Sequence, residues 1–329
     1  MEESRIGALK AFEIGHAQDY EAMTGCTVIL CRNGAVGGVD VRGGAPGTRE
    51  TDLLNPVNLV DRIHAVVLTG GSAFGLEASC GVMDYLEECG VGFDTGIARV
   101  PIVCSAVLFD LNIGNSRIRP DKAMGRSACV NVTPDPVEGN AGAGTGATVG
   151  KLLGPDFAMK GGLGICCLKA GDLLVGAVVA VNCLGDVIDP SSGKILAGAY
   201  DRISGRFLDS VSLLVSNAGK GNCPFPSNTS IGCVITNAAL TKAQANKVAS
   251  MAHDGYARTV RPVHTMYDGD TIFAMASCEV ESDVNAVGAL ASIAVEKAVI
   301  RGVKSAWTAS GYPGLREKSG MDISLQKNE

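Results

Sequence analysis

Beyond residue 229 the hydrophobic pattern is at its most regular, with apolar runs at 231–236 and 271–276 separated by longer stretches at 241–258 and 283–301. Short continuous apolar runs read as buried strands and the longer stretches as helices, which predicts the order strand, helix, strand, helix. Leu240 ahead of a Thr241 cap, and Gly302 after the last helix, fit ordinary start and stop signals.

The pattern before residue 229 is more broken. Two β-prone runs, 26–31 and 36–41, flank Asn33-Gly34 and read as a hairpin, because Asn-Gly supplies the positive φ angles of a tight turn. A strand at 63–69 runs into Gly70-Gly71-Ser72, where Ser72 is placed to cap a helix extending to about residue 89 with Gly90 as its stop. Another apolar run covers 103–111, a modest helix is expected over 121–129, and a buried strand over 174–181 ends at Asn182. Residues 191–228 are rich in Ser, Gly, Asn and Pro and read as an exposed linker that tolerates a chain break. Strands and helices alternate, which argues for a layered α/β architecture in one domain with no internal repeat.

Composition narrows the function classes. At 329 residues with 46% hydrophobic and 19% charged content, the chain can bury a large core. A net charge of −6 and the lack of a Lys/Arg cluster with interleaved aromatics argue against nucleic acid as partner. No apolar run approaches the roughly 18 residues of a membrane span, and no basic, then apolar, leader opens the sequence, so a cytoplasmic location is expected. The 12 cysteines include no C-x-x-C pair and mostly sit in apolar runs, as small buried hydrophobes do. Four histidines without metal-ligand spacing give no reason to expect a metal.

The chemistry-bearing stretch is Ser227-Asn228-Thr229-Ser230, at the head of a buried strand. An internal threonine hydroxyl is a weak nucleophile. Scission of the Asn228–Thr229 bond would expose an α-amine with a pKa of about 7.7–8.0 beside its own Oγ, giving the nucleophile its own base. The glycine-rich segment Gly142-Ala143-Gly144-Thr145-Gly146-Ala147-Thr148-Val149-Gly150-Lys151 is not a phosphate loop, because Thr145 stands where the first glycine should be and Leu152 where the metal-binding hydroxyl should be. Its Gly-x-Gly-x-x-Ala alone is weak support for a dinucleotide. Asp268-Gly269-Asp270 reads either as a tight turn or as two carboxylates on one face of a strand, able to orient an ammonium or a hydroxyl. Asn182 reads by itself as a turn cap.

Taken together and in this order, the segments 142–151, 228–232 and 261–271 resemble the L-aminopeptidase/D-esterase family of self-cleaving N-terminal-nucleophile hydrolases, which includes β-peptidyl aminopeptidases and 6-aminohexanoate-oligomer hydrolases. The resemblance runs from about residue 5 to about residue 303. It implies a four-layer αββα sandwich shared with ornithine acetyltransferases, and processing into chains 1–228 and 229–329. It further implies Thr229 as nucleophile, Lys151 close to it, Asn182 as an oxyanion donor and Asp270 positioning the Thr229 amine or hydroxyl. Asp268 would be its partner or a ligand of the substrate ammonium. Gly144, Ser230 and Phe109 would border the substrate. Phe109 stands where characterised members carry a tyrosine, and a phenyl ring cannot donate that hydrogen bond. The implied activity is cofactor-free aminopeptidase action on short peptides, amino-acid amides or esters, in a homotetramer or larger assembly. Acyl transfer to an amine and non-catalytic small-molecule binding are the alternatives.

Overall fold

The computed structural model describes residues 1–216, 218 and 228–316. In chain order the elements that build the site are β1 (Glu13–Asp19), β2 (Thr24–Val41), β3 (Arg62–Thr69), α1 (Ala78–Glu88), β4 (Val103–Val107), α2 (Lys122–Val130), β5 (Gly162–Ala170), β6 (Leu173–Val181), β7 (Asp186–Ile188), α3 (Ser210–Ser216), β8 (Ile231–Ala238), α4 (Lys242–Thr259), β9 (Thr271–Val280) and α5 (Val284–Lys304).

The expected hairpin at Asn33-Gly34 is instead the middle of one 18-residue strand, β2. Leu30 pairs with Ala65 of β3 while Ala35 pairs with Ile63, so extra residues are accommodated in a bulge where Gly34 takes φ +75°. The positive φ read from Asn-Gly is used for a bulge, which bends a strand without reversing it. That bend has a large consequence. The first half of β2 pairs with β1 and β3, and the second half, Val36 to Val41, pairs with β9.

The main sheet has the order Glu2–Ser4, β5, β6, β8, β9, β2, β3, β4, Thr48–Arg49, with β1 branching from β2. β8 and β9 are parallel, as are β3 and β4; the other pairs along this path are antiparallel. Alternation of side chains shows how it folds over on itself. Val175, Ala177, Val179 and Val181 of β6, with Ile272, Ala274 and Ala276 of β9, pack on α4 and α5. Their neighbours of opposite parity, Val178, Ala180, Phe273 and Met275, face Ile29, Val66, Leu68 and Cys104 from the other half of the sheet. The remaining faces of β2, β3 and β4, carrying Val28, Leu30, Ala65, Val67 and Val103, pack on α1 and α2. Each strand is thus apolar on both faces and the order of layers is α, β, β, α, which is the four-layer sandwich.

Several boundaries differ from the sequence reading. Ser72 does not cap with its side chain: Gly71 in the left-handed region precedes a 3-10 turn, Ser72–Glu77, and α1 follows. Thr241 does cap α4, in a capping box with Gln244, and Asp121 caps α2. Gly302 is no stop signal. It lies inside α5, where a Cβ would meet the Gly162 carbonyl at 2.9 Å, and a Cβ on Gly164 would meet the Ala298 carbonyl at 1.9 Å. Glycines therefore let α5 rest directly on β5. The 191–228 linker carries Ile195–Ala197, two further short strands and α3 before it leaves the described residues; the turn-rich Gly221 to Pro226 and Ser227 lie outside them. No described helix is long and apolar enough to cross a membrane.

Candidate active site

Strand register assembles the site. β8 and β9 are parallel with Ile231 opposite Thr271, so the segments entering them run side by side and Asn228 bridges to Asp268. On the other flank β6 is antiparallel to β8 with Ala180 opposite Ile231, which brings Asn182 level with Thr229. Thr229, 5% exposed, is held from both sides. Its N–H donates to the Asn182 carbonyl at 3.0 Å, and its Oγ accepts from the Gly269 N–H at 3.1 Å. The Thr229 hydroxyl also donates to the carbonyl oxygen of Asn228. That same oxygen accepts from the Gly269 N–H at 2.9 Å. One backbone amide therefore faces both the hydroxyl and the carbonyl preceding it. Sequence reasoning missed this donor because a backbone N–H has no residue signature; a Cβ on Gly269 would come within 2.7 Å of the Thr229 Oγ.

Lys151 reaches the same point from the glycine-rich segment. Gly150 and Lys151 donate backbone N–H groups to Gly185 and Leu184, and the Lys151 ammonium donates to both the carbonyl and the side-chain Oδ1 of Asn182, each at 2.9 Å. Lys151 and Thr229 thus share one acceptor, the Asn182 carbonyl. Burial pushes the Lys151 pKa down to about 8, an effect partly offset by Cys183, Asp268, Asp110 and Asp270. The Asn182 side chain is oriented by accepting from Thr148 N–H at 2.9 Å and by donating one amide hydrogen to the Phe109 carbonyl at 3.1 Å, which leaves its second amide hydrogen for another acceptor.

The two carboxylates flank Gly269, whose N–H meets the Thr229 hydroxyl, and each is 1% exposed. Asp270 accepts from Ser230 N–H at 2.8 Å through one oxygen, and from the His264 N–H and Nδ1 at 3.1 and 2.9 Å through the other. Asp268 accepts from Leu184 N–H, from Thr265 N–H and from the Thr265 hydroxyl. Burial first, and the Asp270 charge second, raise the Asp268 pKa to about 6. All four oxygens are committed to internal donors and neither residue borders the cavity, so the structure gives no support to Asp268 as a ligand of the substrate ammonium.

A cavity of about 120 Å³ opens onto Thr229, lined by the loop Ala45, Pro46 and Gly47, by Ser72 and Ala73, and by Val107, Leu108 and Phe109. Phe109 borders this cavity; Gly144 and Ser230 do not. Gly144 is packed against Gly139 and Leu163, with its carbonyl turned to Lys160, and Ser230, next to Thr229, is held by Asp270 through its N–H with its hydroxyl buried. Lys160 escaped sequence reasoning altogether: fully buried, it donates to the carbonyls of Gly144, Thr145 and Ala147 and so clasps the glycine-rich turn. Burial lowers its pKa to about 7. No group of three or more potential metal ligands occurs among the described residues.

These features agree with the relatives. The family model for peptidase family S58 matches residues 5–316. The chain is 42% identical to an uncharacterized aminopeptidase of Mycobacterium tuberculosis (strain ATCC 25618 / H37Rv) over 89% of both chains. It is 35% identical to a 6-aminohexanoate-oligomer endohydrolase of Paenarthrobacter ureafaciens, over 82% of this chain and 73% of that one. Among solved structures, the L-aminopeptidase D-Ala-esterase/amidase of Ochrobactrum anthropi superposes with a TM-score of 0.68 at 19% identity, covering 92% of this chain and 86% of that one. A Burkholderia sp. beta-aminopeptidase gives 0.68 at 18%, over 100% and 96%. A sandwich with a buried threonine just ahead of its central strand, together with a family match along nearly the whole described chain, places this protein in peptidase family S58, with the fold of the N-terminal-nucleophile hydrolases.

Proposed function

We propose that this protein is a self-cleaving N-terminal-threonine aminopeptidase acting on short peptides, amino-acid amides or esters. The observation that carries the reading is the contact of the Thr229 hydroxyl with the Asn228 carbonyl under the Gly269 N–H. In processing, Thr229 Oγ adds to the Asn228 carbonyl carbon and its proton passes to the Thr229 nitrogen as the C–N bond breaks. The Gly269 N–H stabilises the oxyanion that develops on the Asn228 oxygen. Water then hydrolyses the ester, leaving chains 1–228 and 229–329 with a free amine on Thr229.

In turnover that amine is the general base for its own hydroxyl. The Asn182 carbonyl, which already binds the Thr229 nitrogen, directs it. The Lys151 ammonium shares that carbonyl, and below pH 8 its charge disfavours a second positive charge on the amine, keeping the amine in its unprotonated, proton-accepting form. The substrate acyl group occupies the cavity beside Phe109, and Asn182 with the Gly269 N–H binds the oxyanion. Asp268 and Asp270 position the two backbone segments and do not contact substrate. The chemistry uses no cofactor.

We further propose that processed protomers associate as a homotetramer or larger assembly. A cytoplasmic setting is supported by the eleven described cysteines, which are all unpaired thiols. The test of the reaction is acyl trapping: incubation with an amino-acid p-nitrophenyl ester, acid quench and mass analysis of the 229–329 chain. An acyl adduct on Thr229 is expected; ester hydrolysis with the adduct elsewhere, or at an equal rate in Thr229→Ala, would overturn the assignment.

A further inference from the structure

His264 stands apart from the groups used above, although it is bonded to one of them. It lies in the loop before β9, with φ +54°, a left-handed conformation uncommon for histidine. Both its backbone N–H and its Nδ1 meet the same Asp270 oxygen, at 3.1 and 2.9 Å, while the other Asp270 oxygen takes the N–H of Ser230 at 2.8 Å. The imidazole is therefore one residue and one carboxylate removed from the nucleophile.

Its ring is clamped from the helix side. His253 of α4 packs edge-on against it with centroids 4.8 Å apart, and the Tyr256 ring lies at 6.4 Å. His253 is itself pinned by the Asp40 carbonyl at 2.9 Å, and burial lowers its pKa to about 4, so it stays neutral. Tyr256, fully buried, brings its hydroxyl over Gly232, where a Cβ would meet it at 2.8 Å. Within this wall the His264 Nε2 is buried and makes no hydrogen bond. With a proton on Nδ1 the imidazole donates to the Asp270 carboxylate.

We propose that His264 is a positioning residue for self-cleavage and turnover, holding the Asp270 carboxylate so that it fixes Ser230 and, through the chain, the Thr229 hydroxyl against the Asn228 carbonyl. This rests on Thr229 as the nucleophile. Without the imidazole the Asp270 carboxylate keeps two backbone donors, one on each oxygen, and loses the one side-chain donor that fixes its orientation toward Ser230. A displacement of the nucleophile on the order of 1 Å costs about 100-fold in rate. The clamp of His253 and Tyr256 keeps the ring in the one orientation that serves Asp270.

The φ value selects the variants. Gly and Asn both tolerate the left-handed region, so His264→Gly keeps the backbone and deletes the donor, while His264→Asn keeps the backbone and offers an amide N–H in place of Nδ1–H. The full chain is synthesised in a pulse-labelled cell-free reaction, and conversion to the two fragments is followed by gel, with Thr229→Ala as the uncleavable control. Thermal midpoints are taken on each variant carrying Thr229→Ala. The expected result is splitting about 10- to 100-fold slower in His264→Gly, with recovery to within about threefold of wild type in His264→Asn. Equal rates in wild type and His264→Gly overturn the role while leaving Thr229 as nucleophile intact. So does slowing in both variants in proportion to lost thermal midpoint, which marks a purely structural histidine. A wild-type chain that never splits overturns the Thr229 reading, and this role with it.

Discussion

Replacing Lys151 by methionine should make the protein more stable at neutral pH. The lysine is 3% exposed, and burial lowers its pKa from 10.5 to about 8. At about 1.4 kcal/mol per pH unit, holding that ammonium inside costs about 3 kcal/mol below pH 8. The linkage has a definite sign. Between about pH 8 and 10.5 the unfolded chain binds the proton that the folded chain has released, so wild-type stability rises through this window and is at its lower plateau below it. Methionine fills similar volume without charge. Both acceptors of the ammonium keep a second donor, Thr229 N–H on the Asn182 carbonyl and Thr148 N–H on Oδ1, so the substitution strands no buried acceptor and gives back only about 1 kcal/mol. The net expectation is about 2 kcal/mol of added stability at pH 7, falling through zero between about pH 9 and 10 and approaching about 1 kcal/mol of lost stability at pH 10.5. Urea unfolding of Thr229→Ala and of Thr229→Ala/Lys151→Met across pH 6 to 10.5 reads the difference; Lys160 and Asp268 feel the Lys151 charge and titrate at about 7 and 6, so the diagnostic window is the one above pH 8. Parallel pH profiles, or a methionine variant less stable at pH 7, would refute the reasoning.

Other consequences follow from single contacts. Gly269→Ala puts a methyl 2.7 Å from the Thr229 Oγ and 2.6 Å from the Ala45 carbonyl, so splitting should slow at least about tenfold; a pulse-chase rate equal to wild type would contradict it. In Gly164→Ala the new methyl meets the Ala298 carbonyl at 1.9 Å and lifts α5 from β5, with an expected loss of about 3 kcal/mol in urea unfolding. Asp110 is buried with its pKa raised to about 6, chiefly by burial, so it is more easily protonated folded than unfolded and its contribution to stability falls as pH rises from about 4 to 6. Asp110→Asn should remove that part of the fall, as thermal midpoints at pH 4 and 7 would record.

The parts of the fold legible in the sequence were those where local pattern and tertiary setting agree. The two apolar runs after Thr229 are buried on both faces, and α4 opens with a side-chain capping box, so pattern placed the strand, helix, strand, helix order correctly. The turn at Asn33-Gly34 was misread because positive φ serves bulges as well as hairpins, and the choice is made by β3 and β9, distant in sequence. Gly302 was misread because a glycine required for helix-on-strand contact looks the same as one that ends a helix. Within the site, Thr229 was read from its place at the head of a buried strand and Asp268 and Asp270 from their spacing, whereas Lys151 and Asn182 were singled out only by the family resemblance; the five lie together in the fold. The Gly269 amide, the Lys160 clasp and the His264 contact to Asp270 depend on which groups a fold brings together and leave no local pattern.

The central claim is that this chain cuts itself between Asn228 and Thr229 with its own hydroxyl. Intact mass of the purified protein under denaturing conditions, beside Thr229→Ala, tests it most directly. Two fragments whose masses correspond to residues 1–228 and 229–329, absent from the variant, are the predicted result. A single wild-type chain that remains whole on prolonged incubation, or a break that persists in Thr229→Ala, would contradict it.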